Sequence, residues 1–398
     1  MVRLTGCTVI VTARLANRPP MLTHSFDTPG GVDFRLVHVP RNKCPPSPRP
    51  IFSWEEEMIP RFSGAARGAI PAYESTGSPA SKPIGHIVQP AGPTHAYWEA
   101  MSGIANEKGL MIGESTCSSI FTAGLRGSGG KALMTYMELS RIALERCERA
   151  RDAIELMGRL AEEHGFAGNG LDLGGSAESL AVIDAEEAWV MHLMPDQSGA
   201  SAIWAAQRVP EGHAACVPNV FVIRVMKLHD TAAFLLSHHA LDTAKRLGLW
   251  AEGEPFDFAA TFSAGEARHQ YYSGRRQWRA LSLLAPSLDL SPAYDDLLVG
   301  GGYPFSVLCD APPTPRMLMA IMRDTYVDTP FDLASQPASG PFGATDRFDG
   351  GNGAKAVPPE DGAFERPIGV YRMAYSYVCE ASARAPLFHW APHASQTA

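Results

Sequence analysis

Cys7 stands directly ahead of an apolar, β-branched run, Thr8-Val9-Ile10-Val11-Thr12. If Met1 to Gly6 were cleaved off, this cysteine would become the N-terminus, and its α-amino group could act as base for its own thiol. The two groups are well matched, with reference pKa values of about 7.7–8.0 for the amine and about 8.5 for the thiol. Proton transfer between them near neutral pH therefore costs little and gives a thiolate without a partner histidine. The chemistry would be acyl transfer through a thioester. Most free cysteines are instead inert, buried small hydrophobes, so the position of Cys7 is weighed with the rest of the chain.

The run after Cys7 reads as a strand, Asn17 to Pro20 as a turn, and Met21 to Asp27 as the returning strand of a hairpin. Phe34 to Val39 gives a third strand. From Pro40 to Pro93 the chain is dense in proline, glycine and serine, the composition of long loops over an active-site face. Asn106 to Gly109 forms a hairpin turn before the strand-like Leu110 to Cys117. Helical spacing of Met137, Leu144, Ile154, Met157 and Leu160 predicts a helix from Ala132 to His164, with Gly158 as the place for a break. Short β-like runs follow at Ser179 to Ile183, Ala188 to Leu193, Ser201 to Arg208, His213 to Val217 and Val220 to Val225. Their close succession favours an antiparallel meander. Further helices are expected at Thr231 to Leu247 and Pro315 to Tyr326, a strand at Tyr375 to Val378, and a long loop over Ala334 to Asp361. Strands grouped apart from helices predict an α+β layered fold.

The chain has 398 residues, 45% hydrophobic and 19% charged, with a net charge of −8, which is ordinary globular composition without a basic surface for nucleic acid or anionic membrane. A small-molecule partner fits this better. Cys7, Cys44, Cys117, Cys147, Cys216, Cys309 and Cys379 are odd in number and contain no C-x-x-C pair, so free thiols in a reducing compartment are expected. Met1 to Gly6 lacks the apolar stretch of a secretory signal, and no 18-residue apolar run occurs, so the expected location is cytoplasmic. The composition is compatible with a homo-oligomer.

Several segments in one order carry a resemblance: Gly6-Cys7-Thr8, Thr94-His95-Ala96-Tyr97, Asn106-Glu107, Ile112-Gly113-Glu114-Ser115-Thr116-Cys117, Asp184-Ala185-Glu186-Glu187-Ala188-Trp189, Val217-Pro218-Asn219, Thr329-Pro330-Phe331-Asp332 and Gly340-Pro341-Phe342-Gly343. Each is weak alone; their common order resembles the dipeptidase A and secernin family of cysteine N-terminal nucleophile hydrolases. That family is related to choloylglycine hydrolase and penicillin V acylase. The resemblance implies a four-layer αββα sandwich with two antiparallel sheets between helical layers. It implies one domain over residues 7–398 after a propeptide, residues 1–6, removed autocatalytically, and hydrolysis of dipeptides with neither metal nor cofactor. It assigns Cys7 as nucleophile, Asp27 as the acid beside the new α-amino group, Asn219 as oxyanion donor and Arg276 as the guanidinium that favours the thiolate.

For substrate, charge complementarity nominates Glu114 for the dipeptide ammonium and one arginine of the Arg275-Arg276-Arg279 cluster for its carboxylate; His24, Asn106 and Thr116 complete the expected substrate contacts. His24 stands where choloylglycine-type relatives have arginine. Family members usually continue beyond the position of Ala398, which implies a truncated gene product. A papain-like site is disfavoured because Cys7 opens a strand rather than a helix. Two other readings keep the fold: an acylase or acyltransferase on non-peptide amides, and a secernin-like binding or regulatory protein.

Overall fold

The computed structural model describes residues 6–28, 36–43, 45, 47–52, 83–88, 90–168, 177–264, 270–293, 302–335, 339, 341–345, 366–382 and 386–392. In chain order the strands are β1 (Gly6–Thr12), β2 (Met21–Asp27), β3 (Val37–Val39), β4 (Arg49–Ile51), β5 (Gly85–Ile87), β6 (Tyr97–Glu99), β7 (Gly103–Asn106), β8 (Met111–Cys117), β9 (Ala177–Ile183), β10 (Ala188–Pro195), β11 (Ala202–Arg208), β12 (His213–Val217), β13 (Phe234–Leu236), β14 (Val307–Leu308), β15 (Met373–Glu380) and β16 (Leu387–Pro392). The α-helices are α1 (Tyr136–Arg146), α2 (Ala150–His164), α3 (Ala240–Arg246), α4 (Phe258–Phe262), α5 (Arg275–Leu284) and α6 (Pro315–Met322).

The strands form two large antiparallel sheets, one in the order β14-β12-β1-β2-β15-β16 and one in the order β13-β11-β10-β9-β8-β7-β6-β3, with β4 and β5 as a separate pair. Side-chain alternation along a strand splits the first sheet between two cores. Cys7, Val9 and Val11 of β1, with Leu22, Phe26, Tyr375 and Tyr377 from its neighbours, join the large core shared with the second sheet. Ile10, Met21, Ala214, Cys216 and Val378 alternate with these and pack on Ala280, Leu281 and Leu284 of α5 and on Leu318, Ile321 and Met322 of α6. The strands β1 and β2 lie against β8 and β9, while α1 packs on β7 and α2 on β9, β10 and β11. The result is a mixed α/β fold in which β1, a central strand, has one face toward the other sheet and one toward helices.

The hairpin strands β1 and β2 and the meander β9-β10-β11 occur where the sequence pattern places them. The long helix does not break at Gly158, which lies inside α2. There the missing Cβ admits the Trp204 indole, whose nearest atom would sit 2.3 Å from a side chain at this position. The break falls instead between Arg146 and Ala150. Asn106 Nδ2 donates to the carbonyls of Leu144 and Cys147, each at 2.8 Å, and the Asp184 carboxylate accepts from Ala150 N at 2.7 Å. Both helix ends are thus satisfied by side chains distant in sequence, which local pattern cannot reveal.

Val220 to Val225 is not a strand, because the N–H groups of Val222 and Ile223 donate to His192 Nε2 at 2.8 and 3.1 Å instead of to a ladder. The helix expected from Thr231 begins only at Ala240; Phe234–Leu236 is instead the edge strand beside β11. The third strand is confined to Val37–Val39, with Phe34 and Arg35 outside the described residues, as is much of the loop expected over 334–361. Among the described residues, no helix is long and apolar enough to cross a membrane.

Candidate active site around Cys7

The backbone of Cys7 is held more tightly than its position near a strand end requires. Its N–H donates to Asn219 Oδ1 at 3.3 Å, and its carbonyl accepts from Arg276 Nη1 at 2.7 Å. The same guanidinium reaches Thr8 Oγ1 at 2.8 Å, the Pro218 carbonyl at 2.9 Å, Asn219 Oδ1 at 2.8 Å and, through Nε, the Tyr272 carbonyl at 2.7 Å. Burial and the neighbouring Arg366 guanidinium push the Arg276 pKa down, to about 9. Its five acceptors hold the proton on. Two local features aim this arginine. A π-helical turn, Gln270–Gly274, leads directly into α5, an element often found at functional sites. The Arg276 guanidinium also stacks 4.9 Å from the centroid of the Tyr272 ring.

Asn219 follows Pro218 just past the end of β12, at φ 63°. Asparagine is one of the few non-glycine residues that adopts this left-handed conformation readily. Its N–H donates to Ser115 Oγ at 2.9 Å and its carbonyl accepts from Ser273 Oγ at 3.3 Å. Because Cys7 N and Arg276 Nη2 are both donors, they fix which side-chain atom is Oδ1. Nδ2 then gives one hydrogen to the Thr116 carbonyl at 2.7 Å and retains a second.

The thiol lies on the opposite face of β1 from Thr8, toward the second sheet. Cys7 Sγ donates to Glu114 Oε1 at 2.8 Å, and His24 Nε2 stands 3.4 Å from the same oxygen. Cys7, His24 and Glu114 are all at most 2% exposed. The His24 ring packs among Tyr375 and Tyr377, with centroids 5.9 and 5.3 Å away. Burial, then the charge of Glu114, pushes the Cys7 thiol well above its ordinary range. This corrects the expectation that a guanidinium beside the sulfur favours the thiolate: Arg276 grips the Cys7 carbonyl, and the group on Sγ is a carboxylate. Among the described residues, the ligand atoms of Cys7, His24 and Glu114 lie within 4.8 Å of one another, a grouping able to hold a metal ion.

Asp27 pairs with Gly6 across the β1–β2 ladder, so both point to the helical side of the sheet. Its Oδ2 forms a buried ion pair with Arg366 and accepts from Ser25 Oγ at 3.2 Å, while among the described residues Oδ1 has no hydrogen-bond partner. Gly6 is pressed against this group. A Cβ there would come within 2.4 Å of Tyr272 Oη and 3.2 Å of both Arg366 Nη2 and Asn219 Oδ1.

The structure thus brings together Cys7, His24, Asp27, Glu114, Thr116, Asn219 and Arg276. It does not bring Asn106 with them. The four hydrogen bonds of that side chain run to the carbonyls of Leu144 and Cys147 and from the N–H groups of Lys108 and Leu110. Asn106 fastens a hairpin turn to the end of α1. Thr116 contributes its carbonyl. Nor do the other arginines of the cluster face Cys7: Arg275 lies over the Phe331 ring at 3.6 Å, and Arg279 pairs with Asp324 at 2.8 Å. The carboxylate clamp expected from this cluster is therefore not formed beside Cys7 by Arg275 or Arg279. Sequence reasoning missed Arg366 and Tyr272. The only signal for Arg366 is a lone arginine before Pro367, just ahead of β15, which a charge count treats as a surface residue.

Cys7 is thus a buried cysteine held at both its backbone and its sulfur, on the face of β1 turned toward the second sheet. Residues 100–387 match the model of peptidase family C69. The chain belongs to peptidase family C69, the dipeptidase A and secernin family expected from its sequence. The matched region includes Glu114, Thr116, Asn219 and Arg276, whereas Cys7, His24 and Asp27 precede it.

Proposed function

We propose that this peptidase is a cysteine dipeptidase whose nucleophile, Cys7, becomes the N-terminus on removal of Met1–Gly6, within the αββα architecture of N-terminal nucleophile hydrolases. The observation that carries this reading is that the contacts from Asn219 and Arg276 hold the Cys7 nitrogen and carbonyl rather than the sulfur. A catalytic cysteine inside a chain needs only its sulfur positioned. A terminal one also needs its nitrogen held, because that nitrogen is the base.

In the mature enzyme, Asn219 Oδ1 and Asp27 Oδ1, which has no partner among the described residues, serve as acceptors for the α-ammonium. The amine takes the thiol proton, the thiolate attacks the peptide carbonyl, and the second Asn219 amide hydrogen donates to the oxyanion. Such a donor is worth roughly 10²–10³ in rate. The ammonium protonates the leaving amino acid, and water clears the thioester. Glu114 on Sγ, with the charge of Glu178 also felt at Cys7, makes an acidic surrounding that suits a substrate ammonium better than an apolar acyl chain. Removal of the leading segment is tested by intact mass and N-terminal mapping of wild type beside Cys7→Ala. The substrate is tested with dipeptides carrying free or acetylated amino termini. Wild type should begin at Cys7 and cleave the free dipeptides, and the variant should do neither. Hydrolysis by Cys7→Ala, or preference for the acetylated set, would sink this assignment.

A further inference from the structure

In the uncleaved chain the Cys7 nitrogen is part of the Gly6–Cys7 peptide bond and cannot accept a proton. The thiol that must open this bond therefore needs another base. Asp27 and Glu114 both lie by Cys7, with the charge of Glu178 also felt there, and the strand geometry separates the first two. Asp27 is opposite Gly6, on the helical face of β2, and its Oδ2 is occupied by Arg366 and Ser25. Glu114 reaches across from the second sheet, where β8 is registered against β9 by the pair Glu114 and Leu180. It accepts directly from Sγ at 2.8 Å, and among the described residues its Oε2 has no hydrogen-bond partner.

We propose that Glu114 is the base, and then the acid, of the reaction that cuts the Gly6–Cys7 bond. This rests on the reading of Cys7 as an N-terminal nucleophile. Glu114 takes the Sγ proton, and the thiolate attacks the Gly6 carbonyl carbon through a five-membered ring, leaving the negative charge on the carbonyl oxygen. As that charge returns, the C–N bond breaks and Glu114 delivers its proton to the Cys7 nitrogen. The products are a Gly6–Sγ thioester and a neutral α-amine. The amine then takes a proton from water as hydroxide adds to the thioester, and the proton passes to Sγ as the C–S bond breaks. The freed Gly6 carboxyl ionises to solvent. No oxidant, reductant or cofactor enters the balance.

A further feature suits this role. Gly6 is the residue type the scissile position requires, since any Cβ there would meet Tyr272 Oη at 2.4 Å. The peptide bond to be cut is thereby seated against Asn219, Tyr272 and Arg366.

The experiment follows intact mass of the full-length chain with time, for wild type, Glu114→Gln and Glu114→Ala, with thermal melts of each. Wild type should lose Met1–Gly6. Glu114→Gln should cleave about 10²- to 10⁴-fold more slowly, the usual contribution of a positioned general base. Added formate should speed cleavage of Glu114→Ala, which a purely structural role would not produce. Should either variant fail to fold, Glu114→Asp decides: slowed cleavage with a wild-type melt supports the proposal, and an unchanged rate overturns it. Glu114→Gln cleaving at the wild-type rate, or folded Glu114→Ala unmoved by formate, overturns the base assignment and leaves the nucleophile reading standing. A wild-type chain that retains Met1–Gly6 removes both.

Discussion

The buried pair of Asp27 and Arg366 gives the sharpest quantitative test of the site. Both side chains are at 0% exposure, the pair runs through Arg366 Nη2, and among the described residues Arg366 Nε and Nη1 have no hydrogen-bond partner. Asp27→Asn would leave a guanidinium buried with no counter-charge, and Arg366→Met would leave a bare carboxylate. Removing one partner of a buried pair typically costs about 3–5 kcal/mol, whereas removing both is often nearly neutral. The two single variants should therefore each lose about 3–5 kcal/mol and the double variant only about 1–3, a coupling of about 3 kcal/mol or more. That lies at the upper end of measured pairs. The measurement is urea unfolding with a constant m-value, made in a Cys7→Ala background so that every protein keeps the same uncleaved N-terminus. Single-variant losses that add to within about 0.5 kcal/mol would show that Asp27 and Arg366 do not sense one another, and the account of this corner of the site would fail.

Asn106→Ala removes two hydrogen bonds from the hairpin turn to the end of α1 and two within the turn and should cost about 2–4 kcal/mol. KM should stay unchanged in the folded fraction; a raised KM would return Asn106 to the substrate site. His192 is buried, its pKa pushed down from 6.5 to about 3. The unfolded chain binds this proton from pH 6.5 downward and the folded chain only near 3, so stability contributed above pH 6.5 is lost as pH falls between the two. The expected slope reaches about 1.4 kcal/mol per pH unit, and His192→Gln should flatten it. An unaltered slope would mean other groups set the acid limit. Cys7, His24 and Glu114 offer sulfur, nitrogen and oxygen ligand atoms within 4.8 Å, a set suited to Zn²⁺. Added Zn²⁺ should inhibit reversibly, with a chelator restoring activity, and His24→Ala should weaken inhibition by at least about 10-fold. Equal inhibition of the two proteins would leave the N-terminal cysteine alone as the ligand.

What could be read in the sequence was whatever depends on neighbours. Short β-like runs bounded by turn residues gave β1, β2 and the meander, because strand propensity and turn chemistry are read from neighbours in the chain. The break between α1 and α2 was hidden, since the groups that finish those helices, Asn106 and Asp184, come from other parts of the chain. Val220 to Val225 misled for a related reason: its composition is that of a strand, but the acceptor for its N–H groups is a histidine on β10. The charges divide the same way. Arg276 was nominated by the resemblance, although which of Arg275, Arg276 and Arg279 turns inward was not legible, whereas Arg366 required knowing that Asp27 is buried. A lone charge carries no label for burial in sequence.

The way Cys7 is held gives a physical reason why one cysteine can serve two reactions under the mechanism proposed above. Before cleavage the proton goes to Glu114, the carboxylate on Sγ. After cleavage the α-amine is a second base. Its nitrogen is already held by Asn219 Oδ1 in the uncleaved chain, so gaining the amine does not require moving the carboxylate. The Arg276 grip on the Cys7 carbonyl and on Asn219 uses atoms that cleavage leaves intact. The framework around the nucleophile is thus already built in the precursor, and what maturation changes is the identity of the base, with the free amine replacing Glu114.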